Sequence, residues 1–284
     1  MRERPDLTVA PARKALGQHF LFDPDILRRT ALAAGPVEGR TVIEVGPGPG
    51  GLTRALLDAG CARLIAVETD KRFAESLRLW PESGGPLIVE QADAMKVDFE
   101  SLVTGESSDS NEHSMPAMIV ANLPYNIGTP LLVRWLKAGP WRGEMALMFQ
   151  KEVAERACAA PGEAHYGRLA VLTAAVCKAH IAFTLPPGAF RPPPKVDSAV
   201  AVFQPLPSHQ RFDDLAALEA VTAATFGQRR KMLRASLKGL AKQLGTKPAD
   251  WLEKAAINPE ARPETLDQSA FRRLARVYRE ATNK

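Results

Sequence analysis

The chain has 284 residues, 45% hydrophobic and 24% charged, enough to bury one substantial core and one smaller domain. No run approaches the roughly 18 consecutive apolar residues of a membrane span, and residues 1–14 lack the apolar centre of a secretion signal, so a cytoplasmic protein is expected. The formal charge of +5 is uneven: residues 1–207 hold 22 Lys and Arg against 23 Asp and Glu, whereas residues 208–284 hold 15 against 9.

At the amino end, Arg2, Arg4, Arg13 and Lys14 predict a basic arm. The first strong element is the β-branched run Thr41-Val42-Ile43-Glu44-Val45, followed by Gly46-Pro47-Gly48-Pro49-Gly50-Gly51 and the helix-like Leu52-Thr53-Arg54-Ala55-Leu56-Leu57. Strand, glycine turn and helix in that order suit a nucleotide-type cofactor, but the spacing does not separate a nicotinamide dinucleotide from S-adenosylmethionine. A second run, Leu64-Ile65-Ala66-Val67, ends in Glu68, placed where a carboxylate accepts both ribose hydroxyls. A third, Leu87-Ile88-Val89, leads through Glu90-Gln91-Ala92 to Asp93, placed to accept from an adenine amine. Glu44 precedes the glycines and favours S-adenosylmethionine, because a carboxylate attracts its ammonium and sulfonium and would repel a pyrophosphate.

Residues 104–115, rich in Ser, Asp, Glu and Asn, predict a mobile surface loop. The fourth run, Met118-Ile119-Val120-Ala121, ends in Asn122-Leu123-Pro124-Tyr125. Pro124 breaks the strand and leaves the Asn122 amide, the Leu123 carbonyl and the Tyr125 ring at the rim of an open sheet, where ligands bind. An adenine amine can donate to the Asn122 oxygen and the Leu123 carbonyl while Tyr125 stacks on the ring. Further apolar runs near 145, 180 and 199, separated by helix-like segments until the last two, predict a mostly parallel sheet with an antiparallel edge hairpin. The Pro-rich stretch 186–194 joins those last strands, and its stiffness should present Phe190 at the pocket mouth.

Beyond Leu206-Pro207 the periodicity is helical throughout. Arg229, Arg230, Lys231, Arg234, Lys238 and Lys242 recur at helical spacing, as do Arg272, Arg273, Arg276 and Arg279, predicting two phosphate-facing stripes. Cys61, Cys158 and Cys177 lack metal-ligand spacing and read as reduced structural thiols. His113, His165, His180 and His209 form no triad or metal pattern, so no metal is expected.

Taken with Leu16-Gly17-Gln18-His19-Phe20-Leu21, Asp93-Ala94-Met95, Gln150-Lys151-Glu152, Tyr166-Gly167-Arg168-Leu169, Phe190-Arg191-Pro192-Pro193-Pro194-Lys195-Val196-Asp197-Ser198 and Phe226-Gly227-Gln228-Arg229-Arg230-Lys231, the glycine turn and the Asn122–Tyr125 tetrapeptide give a chain that resembles the KsgA/RsmA family over nearly its whole length. The resemblance implies a Rossmann-like class I methyltransferase sheet over residues 1–207 and a small all-helical RNA-binding domain over 208–284. It implies S-adenosylmethionine-dependent dimethylation of two adjacent adenosines near the 3′ end of 16S ribosomal RNA, within an immature 30S subunit, by a monomer. Residue by residue, it places His19, Leu21, Glu44, Gly46, Gly48, Glu68, Asp93 and Asn122 at the cofactor. Asn122, Leu123, Tyr125 and Phe190 fall around the flipped base, and Arg229, Arg230, Lys231 and Arg234 on RNA. The commonest family pattern has Asn where this chain has His19. Two alternatives stand beside it: an erythromycin-resistance type of methyltransferase acting on large-subunit RNA, and an assembly factor that binds nucleic acid without methylating.

Overall fold

Parallel strands covered by helices on both faces must be apolar on both faces, and the runs near 42, 65 and 119 fit: Val42, Ile43, Leu64, Ile65, Ile119 and Val120 are fully buried. The computed structural model describes residues 11–13, 17–105 and 115–282. Strands follow as β1 (Phe20–Leu21), β2 (Thr41–Val45), β3 (Arg63–Glu68), β4 (Leu87–Gln91), β5 (Ala117–Asn122), β6 (Arg142–Gln150), β7 (Cys177–Leu185), β8 (Phe190–Arg191) and β9 (Ser198–Pro205). Helices interleave as α1 (Pro24–Ala31), α2 (Gly51–Asp58), α3 (Lys71–Arg78), α4 (Phe99–Thr104), α5 (Gly128–Leu136), α6 (Lys151–Cys158) and α7 (Arg168–Val176). The carboxyl portion adds α8 (Leu215–Phe226), α9 (Leu233–Ser236), α10 (Lys238–Gln243), α11 (Pro248–Lys254) and α12 (Gln268–Thr282).

Seven strands make one sheet in the order β4-β3-β2-β5-β6-β9-β7. From β4 to β6 neighbours are parallel, and β9 runs antiparallel to β6 with Gln150 opposite Ser198. This is the expected Rossmann-like sheet. Chain order reverses between β2 and β5, and the crevice beyond their carboxyl ends is where such sheets bind ligands. A second, two-stranded sheet was not legible in the sequence: β1 pairs with β8, Leu21 opposite Phe190. Strands of two residues show no periodicity.

The chain divides into two compact units, Met1–Ala154 with His180–Gln204, and Glu155–Ala179 with Pro205–Lys284. The sequence boundary placed residues 155–179 in the first domain; the fold places them in the second. The reason is hydrogen bonding and burial within that unit: Tyr166 donates its hydroxyl to the Leu266 carbonyl at 2.9 Å, and the Leu206 and Phe212 amides donate to Val176 and Ala175. Its core includes Phe271 stacked on Phe226 at 5.5 Å and Trp251, whose indole N–H donates to the Leu274 carbonyl. Truncating either Phe271 or Trp251, both buried, to Ala would cost about 3–5 kcal/mol.

Two expectations fall largely outside the described residues: the 104–115 loop, of which Thr104 closes α4 and Met115 is exposed, and the basic arm, of which Arg13 is described. The helical spacing expected of the basic residues over 229–242 is corrected. Residues 227–231 are turn and bend, and α9 and α10 are short separate helices.

Candidate functional site

The glycine turn between β2 and α2 is shaped by what it must approach. Gly48 has φ +55°, and a Cβ there would lie 2.8 Å from the Phe20 ring, so the left-handed backbone and the aromatic wall both require glycine. Phe20 in turn meets Phe73 edge-on at 5.4 Å. At the ends of β2, β3 and β5 the resulting cleft is lined by His19, Leu21, Glu44, Gly46, Gly48, Glu68, Asp93, Asn122, Leu123 and Tyr125. All the expected cofactor residues are thus brought together, with three of the four expected around the base.

The fourth, Phe190, is not among the lining residues. It is 2% exposed and belongs to the apolar core cluster with Leu21 and Leu27, which themselves line the cleft. Pairing of β8 with β1 accounts for this: alternate residues on a strand face opposite sides, so Phe190 turns inward while Arg191 is exposed.

The carboxylates differ in environment. Glu44 is 1% exposed, with the Thr53 hydroxyl donating to it at 2.7 Å. Burial, and next the charge of Glu68 against the opposing Thr53 bond, push its carboxyl up to about 8. Glu68 is also buried, and burial raises its pKa, while Gly48 and Asp70 N–H groups donate to its two oxygens at 3.0 and 2.7 Å. Those bonds tie the glycine turn to the end of β3 and leave lone pairs on both oxygens for a ligand. Asp93 is exposed and accepts from the Met95 N–H at 2.9 Å. No lysine or arginine lines the cleft among the described residues, so its carboxyl groups face no lining cation and suit a cationic ligand, which would favour their ionised forms.

On the β5 side, the Asn122 side chain donates from its NH2 to the His19 carbonyl at 3.0 Å. That bond fixes the amide rotamer and leaves the side-chain oxygen without a partner among the described residues. Tyr125 is half-buried, its hydroxyl 2.6 Å from the Ser198 hydroxyl; burial raises its pKa. The His19 ring lies 5.4 Å from the Tyr125 ring at a 30° tilt, with Nδ1 2.8 Å from the Pro192 carbonyl.

Sequence reasoning missed the carboxylate that anchors the amino-terminal wall. Asp70 caps α3 and pairs with Arg72 at 2.6 Å, while Gln18 donates to it at 3.3 Å and Arg13 approaches to 3.9 Å. The Arg72 bond holds its carboxyl down to about 2. An Asp just before a helix reads locally as an N-cap, and nothing nearby in sequence announces partners more than fifty residues away.

The family model for ribosomal RNA adenine dimethylase matches residues 9–279. The chain belongs to the ribosomal RNA adenine dimethylase family. Curated relatives named ribosomal RNA small subunit methyltransferase A include one from Maricaulis maris, 50% identical over 272 residues (95% of this chain, 91% of that protein). Another, from Caulobacter vibrioides, is 50% identical over 268 residues (94% and 97%). Among solved structures, a dimethyladenosine transferase from Plasmodium falciparum shares the fold, with TM-score 0.74 over 93% of this chain and 98% of that one at 24% identity. The 23S rRNA methyltransferase ErmE is 25% identical, with TM-score 0.62 over 92% and 99%. The enzyme is therefore an rRNA adenine dimethyltransferase, built on a methyltransferase sheet with a helical carboxyl-terminal portion.

Proposed function

We propose that the enzyme uses S-adenosylmethionine to dimethylate the exocyclic amines of two adjacent adenosines near the 3′ end of 16S rRNA, within an immature 30S subunit, as a cytoplasmic monomer. The observation that carries the reading is the tethered Asn122 amide: with its NH2 held by the His19 carbonyl, its oxygen is left to accept from an amine. A cleft without lysine or arginine among the described residues supports the choice of cofactor, since the carboxyls of Glu44, Glu68 and Asp93 favour a positive ligand and disfavour a pyrophosphate. Glu68 would hold the ribose hydroxyls, Asp93 the adenine amine, and the turn at Gly46 and Gly48 the methionine portion beside Glu44. When bound, the cofactor supplies an activated methyl group on a sulfonium.

The rest of the chemistry belongs to the chain. The target adenosine must leave its stack to be reached, and Tyr125 offers a face for it. The Asn122 oxygen and Leu123 carbonyl would accept from the amine and favour a more tetrahedral nitrogen in line for transfer; the methyl–nitrogen bond would form as the methyl–sulfur bond breaks, and the nitrogen would then give up one proton to water. No general base is needed at the start, because alignment and exclusion of water supply most of the advantage.

RNA contact falls to the basic second unit, with 18 Lys and Arg against 11 Asp and Glu. Arg230, Lys231 and Arg234 are exposed. Arg234 pairs with exposed Glu260 at 3.6 Å, a weak surface contact that phosphate can replace; Arg229 is partly engaged by the Ala164 carbonyl. The second stripe is largely used internally: Arg272 donates to Ala175 and Gln210 carbonyls and Arg273 to Ala255, so Arg229, Arg230, Lys231 and Arg234 are the better RNA candidates.

The test is methyl transfer to unmodified small subunits against large subunits, with mass spectrometry of the product RNA. Dimethyladenosine at two adjacent positions of 16S rRNA is expected, with Asn122→Ala lowering turnover at least about 100-fold. Incorporation into large-subunit RNA alone, or near-normal turnover in Asn122→Ala at saturating cofactor, would overturn the reading.

A further inference from the structure

Ser198 opens β9, opposite Gln150 at the carboxyl end of β6, and is 0% exposed. Its backbone is doubly constrained, by that antiparallel register and by the Lys151 N–H donating to the adjacent Asp197 carbonyl at 2.9 Å. A buried serine in a sheet usually bonds backbone nearby. This one reaches a site ring 73 positions away in sequence, its Oγ 2.6 Å from the Tyr125 hydroxyl, at the short end for O–H···O bonds.

Tyr125 needs such a tether. It stands on the turn after Pro124, where the Ile127 and Gly128 amides donate to the Pro124 carbonyl, and it is half-buried with an open face toward the cleft. A ring with two free torsions in that position swings unless its polar end is held. The His19 ring flanks it at 5.4 Å and is itself tied to the Pro192 carbonyl. Both restraints therefore originate in the Pro-rich segment and the strand it feeds.

We propose that Ser198 is a positioning residue for methyl transfer: its hydroxyl, fixed by β9, sets the pose of the Tyr125 ring on which the target adenine stacks. This rests on the adenosine reading above and deepens it, assigning to the 192–198 segment the support of the base platform. Ser198 is not among the cleft-lining residues and acts through Tyr125.

A double-mutant cycle on the full-length enzyme with unmodified small subunits tests it. Ser198→Ala and Tyr125→Phe each remove one end of the bond and should each lower kcat about 5–10-fold, with KM for the subunit and affinity for S-adenosylmethionine unchanged. The double variant should be no worse than either single one, because the same interaction is lost once. An RNA carrying 2-aminopurine at the target position gives a readout independent of transfer, as the variants should quench its fluorescence less than the parent does. If Ser198→Ala does not fold, Tyr125→Phe carries the test alone, since a half-exposed phenol loses its hydroxyl without loss of packing. Full kcat in either single variant, multiplicative losses in the double one, or unchanged quenching would overturn the positioning role. A parent enzyme that leaves 16S rRNA unmodified would strike the underlying reading instead.

Discussion

Raising pH should tighten cofactor binding, and Glu44 is the group responsible. Its carboxyl is pushed from an ordinary 4.5 to about 8 by burial first and by Glu68 next, with the Thr53 hydroxyl pulling the other way. Cys61, whose thiol is pushed up to about 11, faces the same side chain and stays neutral below that. The free enzyme therefore carries a protonated Glu44 at pH 7, whereas a ligand with ammonium and sulfonium charges favours the carboxylate. At pH 6 removing the proton costs roughly 3 kcal/mol and by pH 8 less than 1, so affinity should rise more than about tenfold between them and then level. Calorimetry with S-adenosylmethionine in phosphate and Tris, whose ionisation enthalpies differ, should show about one more proton released by the parent than by Glu44→Gln. Comparing the two proteins cancels titration of the ligand's own amine. Equal proton release, or the same pH slope in Glu44→Gln, would refute the assignment.

Glu68→Ala should lower cofactor affinity by about one to two decades, and Asp93→Ala by about one, as charge-assisted bonds contribute about 1.5–3 kcal/mol; calorimetry decides, and unchanged affinity in both would mean the cleft binds something else. Because Glu68 also receives the Gly48 and Asp70 amides, its removal should additionally speed hydrogen exchange in the glycine turn. Neutralising Arg229, Arg230, Lys231 and Arg234 together should weaken subunit binding and reduce the log–log salt slope by roughly 0.7–0.9 for each phosphate no longer neutralised, with cofactor affinity unchanged. For Asp70, held down to about 2 by Arg72, the sign runs opposite to Glu44: its contribution is fully present above the ordinary 3.8 and is lost as pH falls toward 2. The parent should thus exceed Asp70→Asn in denaturant midpoint at pH 6 and lose that margin in acid. In the free protein Glu44 should do the reverse, stabilising least above pH 8, so that Glu44→Gln gains on the parent as pH rises from 5 to 8.

What the sequence determined by itself was everything written in short-range pattern. The apolar runs ending in Glu44-Val45, Glu68 and Asn122 announced strands with chemistry at their carboxyl ends, because a buried parallel strand must be continuously apolar and its polar residues can stand only where it stops. The glycine turn and the break at Pro124 were equally local. Tertiary structure alone decided which groups meet. Asn122 finds the His19 carbonyl 103 positions away and His19 finds Pro192 at 173. Pairing of β1 with β8 sets Phe190 opposite Leu21 and buries it in a core cluster that shares Leu21 and Leu27 with the cleft wall. The stretch 229–242, its basic residues at helical spacing, is broken after Phe226 into a turn and two short helices. Residues 155–179 join the carboxyl-terminal unit because their amide and hydroxyl partners lie there. Periodicity encodes which face of an element is buried; which distant partner buries it is set by the packing of the whole chain.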